Sequence, residues 1–293
     1  MKRYKLLYLV AGVASVLMTG CNDMENTPSN KFTDNSFWNS TEKAQYVVNM
    51  AYSQMYNAGR MWQDESLSDN VFDGRNVTDP RAIRKGMGTP SLELFKNEWK
   101  DLYGGIKTCH VFLEKVDLVP GMNVAVKARM IAEIRFIRAV NYARMIRIFG
   151  GVILRDETNG VDSEGQKDKA RATEAESWDF VLKDLEFAAR HLPKEWDSKW
   201  DGRLTKGAAY AYMCRTALFA KRWDVAITAA DEIKKLNKYD LMDNYEDVFK
   251  VAGNKEIIFS IAYKIPDMPH YFDRYFAPDG KQGIRRAVPT SEL

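Results

Sequence analysis

From Phe37 to Leu236 apolar residues recur at intervals of three and four, the period that gathers them on one face of a helix. Ser40 or Thr41, followed by Glu42, can open a helix with the inward stripe Ala44, Val47, Val48, Ala51 and Met55, which Gly59 is expected to stop. A longer stripe runs Leu92, Phe95, Trp99, Leu102, Ile106, Cys109, Leu113 and Val116. Gly104-Gly105 in its middle costs helix stability, so close packing or a local break is expected there. Between Ala128 and Phe149 apolar and small residues surround much of the circumference, which predicts a central, buried helix ended by Gly150-Gly151. Thr173-Glu174-Ala175-Glu176 is a capping box that opens a helix with Trp178, Val181, Leu182, Leu185, Ala188 and Leu192 inward, stopped at Pro193.

Two further helices are predicted from Thr205 to Ala220 and from Trp223 to Leu236, joined by Lys221-Arg222. Cys214 and Ala217 on the first, with Ala226, Ala230 and Ile233 on the second, resemble the packing positions of a tetratricopeptide repeat. The 128–192 pair reads as a second such repeat, interrupted by a polar insertion at 155–172. Glu256 to Tyr263 reads as a strand. Residues 59–90 and 264–293 read as long loops rich in Asp, Gly, Pro and aromatics. The expected class is mainly α: tetratricopeptide-like helical hairpins packed with additional helices, long loops and little β structure.

The first residues obey a different pattern. Lys2, Arg3 and Lys5 precede an apolar run from Leu6 to Met18, too short to span a bilayer comfortably, so residues 1–20 read as a signal peptide. The run ends in Leu17-Met18-Thr19-Gly20-Cys21, which resembles a bacterial lipobox and makes Cys21 the expected lipidation site. Acyl chains add about 0.8 kcal/mol per buried methylene, so several on one cysteine give durable membrane attachment. Residues 21–36 then form a lipidated, Asn-, Thr-, Pro- and Ser-rich flexible tether, and 37–293 a helical domain. Cys109 and Cys214 remain at apolar helical positions, as free thiols rather than a disulfide scaffold.

Composition is ordinary for a globular chain, with 45% hydrophobic and 28% charged residues. A net charge of +3 is too balanced to hold the chain on phosphate backbones, so nucleic acid is not an implied partner. No Gly-x-Ser-x-Gly elbow, phosphate loop or dinucleotide fingerprint occurs. His110, His191 and His270 lack metal-ligand spacing, and Asp69 to Gly74 fails as a calcium loop because Val71 takes the third ligand position. No cofactor, metal or catalytic residue is therefore expected. Carboxylates are plentiful, but a glycosidase pair is a spatial arrangement that spacing alone does not support. Glu133 and Arg138 on the central helix read as parts of a structural polar network.

Several segments, in order, resemble the SusD/RagB family of nutrient-uptake lipoproteins: the lipobox, the Phe37-Trp38 to Ala51-Tyr52 opening helix, and the block Glu133-Ile134-Arg135-Phe136-Ile137-Arg138-Ala139. That block continues to Ile148-Phe149-Gly150-Gly151-Val152, with Phe149 in place of the family's usual Tyr and Ile153 in place of its Pro. Arg203-Leu204-Thr205-Lys206-Gly207-Ala208-Ala209-Tyr210 and Arg286-Ala287-Val288-Pro289-Thr290 fit as well, and the chain stops where members usually continue, so it reads as an N-terminal portion or a short variant. The resemblance implies a surface-exposed outer-membrane receptor that seats a glycan, or a peptide, and passes it uncleaved to a SusC-like TonB-dependent porin. Sugar faces stack on aromatics while Asp, Asn and Arg bond hydroxyls. On that basis the ligand-binding candidates are Trp62, Asp69, Asn70, Arg75 and Arg81 in the first loop, with Tyr271 and Tyr275 in the last. Phe72 and Phe276 are expected to pin their loops to the body instead. From another class, a lipid-anchored helical-repeat scaffold for envelope proteins also fits the repeats.

Overall fold

The computed structural model describes residues 37–55, 58–75, 78–157, 169–264, 266–267, 269–277 and 288–290; the expected signal peptide, Cys21 and the expected tether lie outside them. Helix α1 (Thr41–Met55) buries the expected stripe of Ala44, Val47, Val48, Ala51 and Met55. The central helix α5 (Val124–Phe149) starts ahead of the expected Ala128, because the Asn123 side chain caps it by accepting from the amides of Ala125 and Val126 at 2.9 and 3.2 Å. It packs against α1 and α4 (Glu93–Lys115), and most extensively against α6 (Glu174–His191). Ile134, Phe136, Ile137, Tyr142 and Met145 of α5 are fully buried, as a helix apolar on most of its circumference must be.

α6 in turn packs on α7 (Lys206–Phe219), which forms a tight hairpin with α8 (Trp223–Lys235). Ala217, Ala226 and Ala229 are buried in this part of the fold, while Ala230, Ile233 and Cys214 are half-buried. Lys221 closes the turn in the left-handed region at φ 56°. The α5–α6 connection begins at Gly150, φ 69°, where α5 ends. A Cβ on Gly151 would sit 2.1 Å from the Ala172 carbonyl oxygen, and the Ala172 amide donates to Val152 O at 2.9 Å, so the two ends of the insertion are joined. The capping box at Thr173 and Glu176 forms in both directions.

α4 runs unbroken through Gly104-Gly105. A Cβ at Gly105 would lie 2.8 Å from Asn141 Nδ2 of α5, whereas one at Gly104 would meet nothing within 4 Å. Of the two outcomes expected, close packing is the one found, and only Gly105 supplies it.

Glu133 and Arg138 do not share a network. Five residues apart on α5, they face directions about 140° apart. Glu133 accepts from Arg203 Nε at 2.6 Å and from the Tyr52 hydroxyl at 2.8 Å. Arg138 lies against Asp184 of α6 and, at 2.8 Å, Glu157. Cys109 and Cys214 are free thiols, and burial pushes the Cys109 thiol up to about 12.

Three expectations require correction. Residues 59–90 are not one loop, and Gly59 does not end a helix: it lies inside α2 (Ala58–Glu65), and α3 (Asp79–Arg84) follows with Pro80 in its first turn. Residues 264–293 likewise contain the short helix α10 (Phe272–Phe276) and strand β2 (Val288–Pro289), following the single turn α9 (Asp247–Lys250). Glu256 to Tyr263 forms no strand, and Phe259 packs edge-on to Phe136 and Tyr212 at 6.2 and 6.1 Å. The one sheet among the described residues pairs β1 (Val71–Phe72) with β2, antiparallel, Val71 opposite Pro289 and Phe72 opposite Val288.

Candidate functional site

α2 carries Arg60, which is buried, and Trp62, Gln63 and Asp64, which are half-buried. The chain leaves it through a turn in which the Ser66 amide donates to Trp62 O, and then enters β1. The short ladder is extended by Thr290, whose amide donates to Asn70 O and whose hydroxyl donates to Asp69 O, both at 2.9 Å. Asp69 and Asn70 thus contribute main-chain carbonyls to the clasp, and their side chains are exposed.

Beyond β1 the buried Asp73 carboxylate accepts from the Arg75 amide at 3.1 Å, from its Nε at 2.9 Å and from a terminal guanidinium nitrogen at 2.6 Å. Burial alone would raise this carboxyl, but the Arg75 hydrogen bonds outweigh it and hold it below the ordinary value. Arg81 donates to Arg75 O at 2.8 Å and Arg84 to Val71 O at 2.9 Å, so both α3 arginines grip loop carbonyls. Asp79 accepts from the Leu94 amide at 2.7 Å and covers the start of α4.

The last loop meets the first at Trp62. Its ring lies 5.4 Å from Phe272, 6.4 Å from Tyr275 and 5.0 Å from Phe276, and its Nε1 donates to His270 O at 3.2 Å. Phe272 and Phe276 stack on each other at 4.5 Å, one turn apart on α10. Tyr271 precedes α10 at φ 56° and is 47% exposed.

A cavity of about 540 Å³ opens between α2, the 73–80 segment and the first turns of α4, with Tyr275 on its wall. Arg75, Asp73 and Asp101 also line it. Deeper, Arg60 Nε sits 2.9 Å from Glu98, and both side chains are buried. Arg144 extends this network with bonds of 2.7 and 3.0 Å to Glu98 and 2.6 and 2.8 Å to Asp64. Burial disfavours its charge, but the two carboxylates overcome that and keep the guanidinium protonated well beyond the ordinary range. The arrangement is a polar cleft with fixed donors and acceptors and one aromatic wall. It can hydrogen-bond hydroxyl groups and cover a ring.

Of the sequence candidates, Arg75 and Tyr275 line the cavity, and Trp62 packs on Tyr275 without lining it. Asp69, Asn70 and Arg81 hold the loop beside it, and Tyr271 stands outside the cavity. Asp73, Glu98 and Asp101 were missed; Asp73-Gly74-Arg75 carries a turn signal, but nothing local marks Glu98 and Asp101 as cavity residues, because their partners are distant in the chain.

The family model for SusD-like proteins described as "Starch-binding associating with outer membrane" matches residues 5–218. A SusD-like protein of Bacteroides ovatus is 25% identical over 269 residues, covering 84% of this chain and 47% of that relative. Among solved structures, a SusD-like protein from Bacteroides fragilis matches with a TM-score of 0.72 and 31% identity, over 89% of this chain and 53% of the other. A SusD-like carbohydrate binding protein from the same species gives 0.78 and 26%, over 88% and 53%. The chain spans about half the length of the curated relatives it matches. With most of its length matched by the family model and its helical body shared with solved members, this chain belongs to the SusD-like family.

Proposed function

We propose that the chain is a glycan receptor of the outer membrane, held there by acyl chains on Cys21, that seats its ligand in the cavity of Arg75 and Tyr275 and passes it uncleaved to a SusC-like TonB-dependent porin. Residues 1–20 serve as the signal peptide and 21–36 as the tether in this reading. The observation that carries it is the convergence of two loops, far apart in sequence, on one cleft that offers an aromatic wall, a guanidinium and carboxylates. Those are the groups that hold a sugar ring and its hydroxyls. The family's description as starch-binding, and a 26% identical relative described as carbohydrate binding, point the same way. Leu218, Trp223 and Ile227, at least half exposed on α7 and α8, give the repeat hairpin an apolar surface for the porin.

The test is titration of the purified chain with maltoheptaose and laminarihexaose, with reducing ends assayed in parallel. Binding without new reducing ends is expected, weakened roughly tenfold by Tyr275→Ala or Arg75→Ala, about 1.4 kcal/mol. Hydrolysis would overturn the non-enzymatic part, and binding unaffected by either substitution would overturn the site. Co-purification of the chain with a SusC-like porin tests the partner.

A further inference from the structure

The N-terminal half of α4 has two working faces. Leu94, Asn97, Glu98 and Asp101 border the cavity described above, whereas Phe95, Lys96 and Trp99 border a second cleft of about 690 Å³. At 100° per residue these sets fall on opposite sides of the helix. The second cleft is closed by Ile148 and Phe149 at the end of α5 and by Arg171 just before α6.

Its chemistry is the inverse of the first. Trp99 and Phe149 meet edge to face at 5.1 Å, and Phe95 approaches Phe149 at 6.3 Å, which makes a continuous aromatic wall. Arg171 lies over Trp99 at 4.9 Å, and its one described hydrogen bond, to Phe149 O, is long at 3.5 Å. Lys96 is the second cation; its partner Glu93, three residues away, makes only an exposed pair of the kind water readily exchanges. Among the described residues no carboxylate lines this cleft, whereas Asp73, Asp79, Glu93, Glu98 and Asp101 line the first.

An aromatic wall flanked by two cations, with no acid among its described lining residues, suits a ligand that joins an apolar ring face to a negative charge. We propose that this cleft is a second subsite, selective for a sugar ring bearing an anionic group, either a uronate carboxylate or a sulfate ester. The ring packs on the Trp99 and Phe149 wall, Arg171 pairs with the anion, and Lys96 adds a second charge. The assignment of a sugar rests on the glycan reading given above; the preference for an anion rests on this cleft alone.

Calorimetric titration of the full chain with tetragalacturonate, a sulfated carrageenan tetrasaccharide and neutral maltotetraose tests it. At least one anionic oligosaccharide is expected to bind more tightly than the neutral one, and which of the two does so names the anion. Arg171→Gln, at an exposed position, is expected to weaken that binding at least tenfold, and Lys96→Gln less. If neither anionic oligosaccharide outbinds the neutral one, or if Arg171→Gln has no effect, the subsite is overturned. Neutral binding that is sensitive to Tyr275→Ala would then still leave the first cavity standing. Anionic binding sensitive to Arg171→Gln, with no neutral binding at all, would support the subsite and overturn the first reading instead.

Discussion

The Arg138 guanidinium donates two hydrogen bonds across the α5–α6 interface to Asp184, at 2.7 and 2.9 Å, with both side chains almost wholly removed from solvent. Burial pushes the Asp184 carboxyl up despite this partner, while Asp184 and Glu157 keep Arg138 charged. A pair so placed is costly to break from one side. Arg138→Met alone is expected to destabilise the fold by about 3–5 kcal/mol, because it strands a buried carboxylate. The double substitution with Asp184→Leu should recover most of that loss. Thermal midpoints of the three proteins decide the matter, and a double variant no more stable than the single one would refute the stranded-charge explanation.

The adjacent glycines of α4 should respond with opposite signs. Gly104→Ala places its methyl in open space and removes backbone freedom from the unfolded chain, so a gain of about 0.5–1 kcal/mol is expected. Gly105→Ala drives a methyl to 2.8 Å from the buried Asn141 amide and must lose stability. Denaturant midpoints measured side by side give the comparison.

Asp73 sets an acid limit on the first loop. The Arg75 hydrogen bonds hold its carboxyl below the ordinary carboxylate value, so the stabilisation it provides is complete above that ordinary value and is lost as pH falls on through the lowered, folded one. Pepsin cleavage between Val71 and Thr78, normalised at each pH to an unstructured peptide, is expected to quicken as pH falls below the ordinary carboxylate range, while Asp73→Asn is cleaved readily throughout.

Trp62 joins the two loops through rings, so its removal should free α10 more than the body. Trp62→Ala is expected to speed hydrogen exchange over residues 270–276 at least tenfold, about 1.4 kcal/mol, with α5 unaffected. Uniform acceleration across the chain would mean that the ring holds the whole fold instead.

The helical body was legible because each long helix carries its own instructions: the capping box at Thr173, the all-round apolar positions of α5, and the small residues of α7 and α8. What escaped was whatever depended on a distant partner. Pro80 announces a helix start, yet α3 is short, and its arginines only make sense once Val71 and Arg75 offer carbonyls. The run Glu256 to Tyr263 has the composition of a strand, but composition supplies no neighbour to bond with. Arg138 and Glu133 sit close in sequence and invited pairing; helix geometry turned them to different partners. For the candidate site, aromatic and polar residues in the two segments singled out Arg75 and Tyr275, which line one cavity, and Trp62, which packs on Tyr275. Nothing local in the sequence marks Glu98, because Arg60 and Arg144, which pair with it, come from elsewhere in the chain.

The clasp between Asp69 and Thr290 ties together positions 221 residues apart with very few bonds. Closing a loop of that size costs roughly 5 kcal/mol of chain entropy before any contact offsets it. Such a closure belongs late in folding, after the helices have shortened the distance to be spanned, and it should be the earliest tertiary feature to open on warming. Any molecule that grips both sides of the clasp will therefore announce itself as a change in melting behaviour, even when it makes no contact with the core.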